Sequence, residues 1–291
     1  MRNLKGSAAH FGAMVKLFML LSAVLFFVIL ISPITLLAQH YPGNTDVLKL
    51  VQLIMSVAVI ILPPLVLAFF VSQKPLQYLK ITTKPAGLDL ILVGVIMIIA
   101  IPFINLLGDL NQHIVLPKAF SGIELWMKAS ETETAQLTEK FVSVHSISGL
   151  FTNIGLIALI PALGEELFFR GALQKILTDW RGKTIAIWLS AILFSAIHFQ
   201  FYGFIPRMLL GAFFGYLLIG SNSLWLPVTA HFINNAIAII FYYFKYNGYQ
   251  LPDIDKVGYG NTLWLGIASG ALIVFGFFRI QKRFQGKPIE L

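Results

Sequence analysis

Six polar side chains lie in stretches of sequence that are otherwise apolar, and they form three groups. The groups are Glu165, Glu166 and Arg170, then His198, which follows Phe194 at a spacing of four, then His231 and Asn235. Ionisable side chains in such stretches are costly to bury and usually face an internal cavity, so they indicate a functional site. Carboxylates, imidazoles and a carboxamide can together activate water and stabilise the oxyanion that forms when water attacks a carbonyl group.

Glu165 is the candidate general base. The three residues that follow it are Leu, Phe and Phe, so no cation lies at helical spacing on that side to neutralise it. A carboxylate in apolar surroundings binds a proton more tightly and is a better base. His198 could orient the same water or share its proton, and His231 and Asn235 could donate hydrogen bonds to the oxyanion.

A zinc site is the alternative chemistry for the same residues. Glu165, His198 and His231 would be the ligands, and the fourth position would hold water. The His-Glu-x-x-His pattern of zincins is absent. Residue types and spacing do not separate the two mechanisms, so no cofactor is assigned and zinc stays open.

Each group also has a purely structural interpretation. Glu166 and Arg170 are four apart, and such a pair can simply neutralise itself. His198 can be an interfacial residue at the end of a span, and His231 can bind a backbone carbonyl. Asn235 can join two helices, as polar amides in membrane proteins often do.

Composition indicates a membrane protein. The 291 residues are 57% hydrophobic and 12% charged, with a mean hydropathy of +0.81, whereas a soluble domain has about 25% charged residues. The net charge of +8 is therefore attributed to orientation in the bilayer rather than to nucleic-acid binding. Cysteine is absent, which excludes disulfides and thiolate metal sites.

About eight transmembrane helices are predicted, and with them an all-α, polytopic fold that encloses a polar cavity within the membrane. The apolar stretches are about 14–37, 48–71, 88–107, 147–178, 184–202, 205–219, 223–244 and 262–279. The first is too long for a signal peptide and has no small-residue cleavage site, so it is predicted to be an uncleaved span.

The distribution of basic residues predicts the orientation. With eight spans, fourteen Lys and Arg residues, Arg2 and Lys287 among them, fall on the side of the termini and six on the other side, with Arg207 near the end of a span. The positive-inside rule then places both termini in the cytoplasm. We expect an integral, multi-pass protein of a bacterial inner (cell) membrane.

Helix geometry predicts that the three groups meet. Glu165 lies fourteen residues before the turn predicted at 179–183, and His198 lies fifteen residues after it, so both lie roughly 21–22 Å from that turn. His231 lies eight residues beyond the next turn, at 220–223, or roughly 12 Å from it. These depths all fall in the middle of a hydrocarbon core that is about 30 Å thick.

Small residues and proline indicate how the helices are arranged around the site. Pro161 cannot donate to the carbonyl of Ile157, which loosens the helix one turn before Glu165, and Gly164 allows close approach there. The pattern Gly211-x-x-x-Gly215 would let the sixth span pack tightly. The stretch 109–144 is either amphipathic helix on the outer surface or a solvated loop.

The three motifs, in this order on successive apolar stretches, resemble the CAAX prenyl protease and bacteriocin-processing family, also called CPBP or Abi. The resemblance covers about 147–245, a third of the chain, and implies an eight-helix intramembrane endopeptidase. By this resemblance Glu165 is the general base, with Glu166 and Arg170 in support, and His198 helps to activate water. His231 and Asn235 hold the oxyanion. Members of the family are described both as glutamate-type proteases and as metalloproteases, so zinc stays open here too.

The predicted organisation and partners follow from this resemblance. The chain divides into helices 1–3 with the outer loop (1–146), a protease-like core (147–245), and a last helix with a basic tail (246–291). The expected partners are a protein or peptide substrate, lipidated in the eukaryotic members, and the lipid bilayer, but no nucleic acid. A proton-coupled transporter and a non-catalytic membrane scaffold are the alternative functions. The substrate, the pathway and the oligomeric state are not predicted.

Overall fold

The computed structural model describes residues 4–114 and 116–285, and within these ranges the chain is helical and has no strand. Seven helical segments in these ranges are long and apolar enough to cross a membrane, and a shorter apolar helix lies between the fourth and the fifth of them. The prediction of an all-α, polytopic membrane protein is confirmed. Arg2 and Lys287, which were counted for orientation, lie outside the described residues.

Thirteen α-helices form the described part of the chain. Three π-helical turns, at Ser56–Ile61, Ile154–Leu159 and Leu167–Leu173, join some of them end to end, so that Thr45–Val71 and Ile147–Arg181 are continuous helical segments. The α-helices are α1 (Ala13–His40), α2 (Thr45–Met55), α3 (Leu62–Val71), α4 (Pro75–Tyr78), α5 (Gly87–Gln112), α6 (Ser121–Val142), α7 (Ile147–Asn153), α8 (Ile160–Glu166), α9 (Gln174–Arg181), α10 (Lys183–Ala196), α11 (Phe204–Ser221), α12 (Trp225–Tyr246) and α13 (Leu263–Gln285).

The predicted fifth span, 184–202, is too long and needs correction. Helix α10 ends at Ala196 after 14 residues, which gives it a length of about 21 Å, less than the thickness of the hydrocarbon core. The chain then turns through Phe199, whose φ is 53°, and a 3-10 turn at Phe201–Gly203 leads into α11. Hydropathy does not reveal this end because the turn is itself aromatic.

Backbone groups of this turn are bound by neighbouring helices. The Asn111 side chain of α5 donates to the carbonyl of Phe201 at 2.8 Å and accepts from the amide of Ile205 at 2.9 Å. The Ser195 hydroxyl donates to the carbonyl of Phe204 at 2.7 Å. Polar backbone at membrane depth needs such partners because lipid provides none.

A proline follows the π-helical turn in each of the two continuous segments Thr45–Val71 and Ile147–Arg181, and the two segments pack closely. Pro161 lies in the first turn of α8, directly after the π-helical turn Ile154–Leu159, and Pro63 has the same position in α3 after the π-helical turn Ser56–Ile61. A Cβ atom added to Gly164 would lie 2.9 Å from a side-chain atom of Ile61. The predicted interruption and close approach beside Glu165 are thus both present.

Helix α6 is the amphipathic helix considered for 109–144. It packs against the turn that follows α10: the Ser130 hydroxyl donates to the carbonyl of Phe199 at 3.0 Å. The Trp126 ring contacts those of Phe199 and Phe201, with ring centres 6.2 and 5.1 Å apart. Helix α6 therefore covers the turn that carries His198.

Glycines bring α10 and α11 together. A Cβ atom at Gly211 would lie 3.2 Å from the Cα of Ala191, and one at Gly215 would lie 3.1 Å from a side-chain atom of Ile187. The expected tight packing of this glycine pair is observed, and it places the backbone of α11 beside the first polar group.

Candidate active site

The structure brings three of the predicted residues to one point. Glu165 lies on α8, His198 in the turn after α10, and His231 on α12. The Glu165 Oε2 atom is 3.8 Å from the Nε2 atom of each histidine. The three side chains are mostly buried, with 17% of Glu165, 26% of His198 and 7% of His231 exposed. The convergence predicted from helix geometry is therefore observed.

The Nδ1 atom of each imidazole ring contacts a hydrogen-bond acceptor. His198 Nδ1 lies 2.7 Å from the carbonyl oxygen of Phe194, four residues before it. His231 Nδ1 lies 2.9 Å from Glu166 Oε1. A carbonyl and an ion-paired carboxylate both accept, so each Nδ1 donates and, in a neutral ring, each Nε2 is an acceptor.

Three acceptors consequently meet in one small space. The Glu165 Oε2 atom is buried and has no hydrogen-bond partner, and 3.8 Å is too long for a direct hydrogen bond to either ring. Buried polar atoms are normally satisfied by protein or by ordered water. A water molecule among the three atoms would have the acceptors it needs and would lie against a base.

Glu166 and Arg170 form the supporting layer of the site. Arg170 Nη1 donates to Glu166 Oε1 at 2.8 Å, and both side chains are fully buried. Arg170 Nη2 also donates to the carbonyl of Gly211 at 2.9 Å, where an added Cβ atom would lie 3.1 Å from that nitrogen. The pair does neutralise itself, as the structural interpretation held, but Glu166 also binds His231.

Aromatic rings pack against the imidazole rings of His198 and His231 and against the guanidinium of Arg170. The Phe194 ring packs edge-on against His198 and His231, with ring centres 5.1 and 5.7 Å apart, and lies 4.4 Å from the guanidinium carbon of Arg170. The Phe214 ring stacks on His231 at 5.4 Å. Phe194 belongs to a predicted motif. Phe214 was missed, and no signal marks it, because it is one aromatic residue among several in an apolar helix.

Asn235 is not joined to the other predicted residues. It follows His231 by one helical turn on the same face of α12, and its side-chain oxygen accepts a hydrogen bond from Asn234 at 3.2 Å. Within residues 4–114 and 116–285, no hydrogen bond links Asn235 to Glu165 or to either histidine. Its role as an oxyanion donor stays a prediction.

The zinc alternative depends on how close together Glu165, His198 and His231 hold their donor atoms. Among the described residues, no group of three or more His, Cys, Asp or Glu side chains is arranged to hold a metal ion. The donor types of Glu165, His198 and His231 suit zinc, but their 3.8 Å separations exceed the spacing of about 3.4 Å between tetrahedral ligands at usual bond lengths. Zinc binding stays a hypothesis for metal analysis.

Arg207 is a basic residue near the site whose position the sequence did not assign. Its Nη1 and Nη2 atoms donate to the backbone carbonyl and the side-chain oxygen of Gln200, at 3.2 and 2.7 Å. Gln200 follows His198 by two residues, so these hydrogen bonds hold the guanidinium on the turn that carries this histidine. The available signal was a basic residue in the first turn of an apolar helix, nine residues after the motif histidine.

Comparison with known proteins supports the family resemblance. Residues 147–237 match the family model described as type II CAAX prenyl endopeptidase Rce1-like. The "Uncharacterized protein YpbD" of Bacillus subtilis (strain 168) is 28% identical over 116 residues, which is 38% of this chain and 55% of that relative. The match thus spans about half the length of the curated relative. No solved structure matches the chain.

The matched segment contains all three motifs and every residue that meets at Glu165. The resemblance is therefore confirmed: residues 147–237 of this multi-pass membrane protein are similar to the Rce1-like family of type II CAAX prenyl endopeptidases.

Proposed function

We propose that this protein is an intramembrane endopeptidase that hydrolyses a peptide bond with water activated by Glu165 and His198. The observation that carries the proposal is the buried Glu165 Oε2 atom, which lacks a hydrogen-bond partner and lies 3.8 Å from two histidine Nε2 atoms. The similarity of 147–237 to CAAX prenyl endopeptidases supports the same reaction class.

In the first step, Glu165 accepts a proton from the bound water while the water oxygen attacks the carbonyl carbon of the substrate. His198 Nε2 accepts a second hydrogen bond from this water and so orients its lone pair towards the carbonyl group. A base that is positioned in this way accelerates such a step by about 10²–10⁴-fold.

In the second step, the tetrahedral oxyanion collapses. In its doubly protonated form, the His231 ring donates through Nδ1–H to Glu166 and through Nε2–H to the oxyanion. Asn235 is the second proposed donor. The protonated Glu165 then gives its proton to the departing amide nitrogen, the C–N bond breaks, and a carboxylic acid and an amine leave with Glu165 restored.

The proposed substrate is a peptide or protein segment that reaches the site from the membrane. Prenylated CAAX-type peptides are the first class to test, because the family description names them. The proposed setting is a bacterial inner membrane with both termini in the cytoplasm, as the distribution of basic residues predicts.

The decisive experiment compares the wild-type protein with Glu165→Gln in lipid nanodiscs. Cleavage of prenylated peptides is followed by mass spectrometry, and membrane fractions of cells that express each form are compared by proteomics to find natural substrates. Glu165→Gln should insert normally and lose cleavage, whereas Glu133→Gln, at an exposed carboxylate of α6, should keep it. Cleavage by Glu165→Gln at the wild-type rate would remove the proposed base, and ion flux without proteolysis would favour a transporter.

A further inference from the structure

Arg207 is held at the candidate active site by neutral acceptors alone. Within the described residues, the guanidinium donates two hydrogen bonds, both to Gln200. It also packs over Gly203, where an added Cβ atom would lie 3.1 Å from Nη2. These contacts fix the guanidinium on the turn that also carries His198. A guanidinium has five N–H donors, so three remain for another acceptor.

The charge of Arg207 has no direct counter-ion. Within the described ranges, the ion pairs closer than 4.0 Å do not include it. Arg170, in contrast, is paired with Glu166 at 2.8 Å. A cation in an apolar helix is costly unless something balances it, so an unpaired guanidinium at this depth indicates an anionic ligand.

Two carboxylates lie near enough to Arg207 to interact with its charge, and they belong to different helices. One is Glu165, and the other is Glu131 on α6, the helix that covers the turn. The Oε2 atom of Glu131 is buried and has no hydrogen-bond partner. Neither carboxylate lies within 4.0 Å of the guanidinium, so its remaining N–H donors are available to a carboxylate from outside the chain.

We propose that Arg207 binds a carboxylate of the substrate and thereby places the scissile bond at Glu165 and His198. Guanidinium and carboxylate groups form paired, charge-assisted hydrogen bonds, which fix direction as well as distance. The carboxylate is either the C-terminus of the substrate or an acidic side chain close to the cleaved bond. This inference rests on the proposed peptidase function and adds a substrate requirement to it.

The test measures peptide binding and cleavage separately. Binding is measured by fluorescence anisotropy on the Glu165→Gln protein in nanodiscs, so that no probe is consumed. The first two probes are a farnesylated Cys-Val-Ile-Met peptide with a free C-terminal carboxylate and the same peptide as a C-terminal amide. Two further amidated probes differ only by Glu or Gln in the residue before the farnesylated cysteine.

At least one acidic probe should bind about tenfold more tightly than its neutral counterpart, since a charge-assisted hydrogen bond is stronger than a neutral one. The acid–amide pair reports a C-terminal carboxylate, and the Glu–Gln pair reports a side chain. Adding Arg207→Gln should abolish the preference, and Arg207→Lys should keep part of it. Arg279→Gln, which removes an exposed positive charge from α13, should leave it unchanged.

Equal binding of both pairs, absence of binding by all four probes, or a preference that survives in Arg207→Gln would overturn the proposal. A thermal unfolding curve of Arg207→Gln that matches the parent protein shows that a lost preference is not a lost fold. Cleavage by the wild-type protein decides the peptidase function independently: an intact binding preference without hydrolysis counts against that function and not against the carboxylate site.

Discussion

Removing the charges of Glu166 and Arg170, first singly and then together, separates the support of the fold from the support of the chemistry. Both side chains are fully buried and 2.8 Å apart. Glu166→Gln leaves an uncompensated guanidinium, and Arg170→Met leaves an uncompensated carboxylate. Each single change should cost about 3–5 kcal/mol of unfolding free energy, the usual effect of breaking a buried ion pair.

The double variant should recover most of this stability. Removing both charges eliminates the desolvation penalty together with the attraction, and such replacements are often neutral. We expect Glu166→Gln/Arg170→Met to unfold within about 1 kcal/mol of the wild-type protein, so that the two changes are strongly non-additive. Unfolding is followed by circular dichroism in mixed micelles during titration with a denaturing detergent.

Activity should not recover along with stability. In the double variant His231 Nδ1 loses the carboxylate that it contacts at 2.9 Å, and outer partners of functional histidines are typically worth about 10–100-fold in activity. Peptide cleavage should therefore stay reduced by that factor in a protein that is folded. Additive losses of stability would refute the buried ion pair as the source of the single-variant costs. A double variant with full activity would refute the assignment of Glu166 as a positioning residue for His231.

Three further predictions concern other parts of the site. Gly211→Ala should destabilise the protein by about 1–3 kcal/mol through overpacking, because its Cβ atom would lie 3.1 Å from Arg170 Nη2. Gly108→Ala, whose added Cβ atom would have no neighbour within 4 Å, is the matched control in thermal unfolding. Equal destabilisation by the two substitutions would contradict the overpacking at Gly211. Phe214→Leu should lower the cleavage rate by up to about tenfold while the protein stays folded, since the stacking on His231 is worth about 0.5–1.5 kcal/mol. An unchanged cleavage rate would show that this stacking does not position the His231 ring. Because the 3.8 Å separations of Glu165 from the two histidines exceed the spacing of tetrahedral zinc ligands, purified protein should keep its activity after dialysis against a chelator. Stoichiometric zinc, measured by plasma mass spectrometry and required for activity, would favour the metal alternative.

The common depth of the site residues could be predicted from the sequence because the rise of a helix per residue is regular. Fourteen residues before one turn and fifteen after it place Glu165 and His198 at the same height, whatever the rotation of the helices. A spacing of four places Glu166 beside Arg170, and the structure shows this pair as an ion pair.

The rest of the site depends on rotation between helices and on turns, which hydropathy does not encode. The stacking of Phe214 on His231 depends on the relative rotation of α11 and α12, which the apolar pattern of each helix does not define. The end of α10 depends on a turn that is rich in aromatic residues, with a positive φ at Phe199. Arg207 was predicted only to lie near the end of a span; the turn after α10 brings its guanidinium to Gln200, two residues after His198.

The short length of α10 bears on how a hydrolase can work inside an energised membrane. Such an enzyme must supply itself with water without opening a leak for protons. A helix of about 21 Å in a layer of about 30 Å leaves roughly 9 Å to be filled by a turn, and this turn is bound on several sides by polar side chains. We therefore expect water to reach Glu165, the proposed base, from the face of the membrane on which this turn lies.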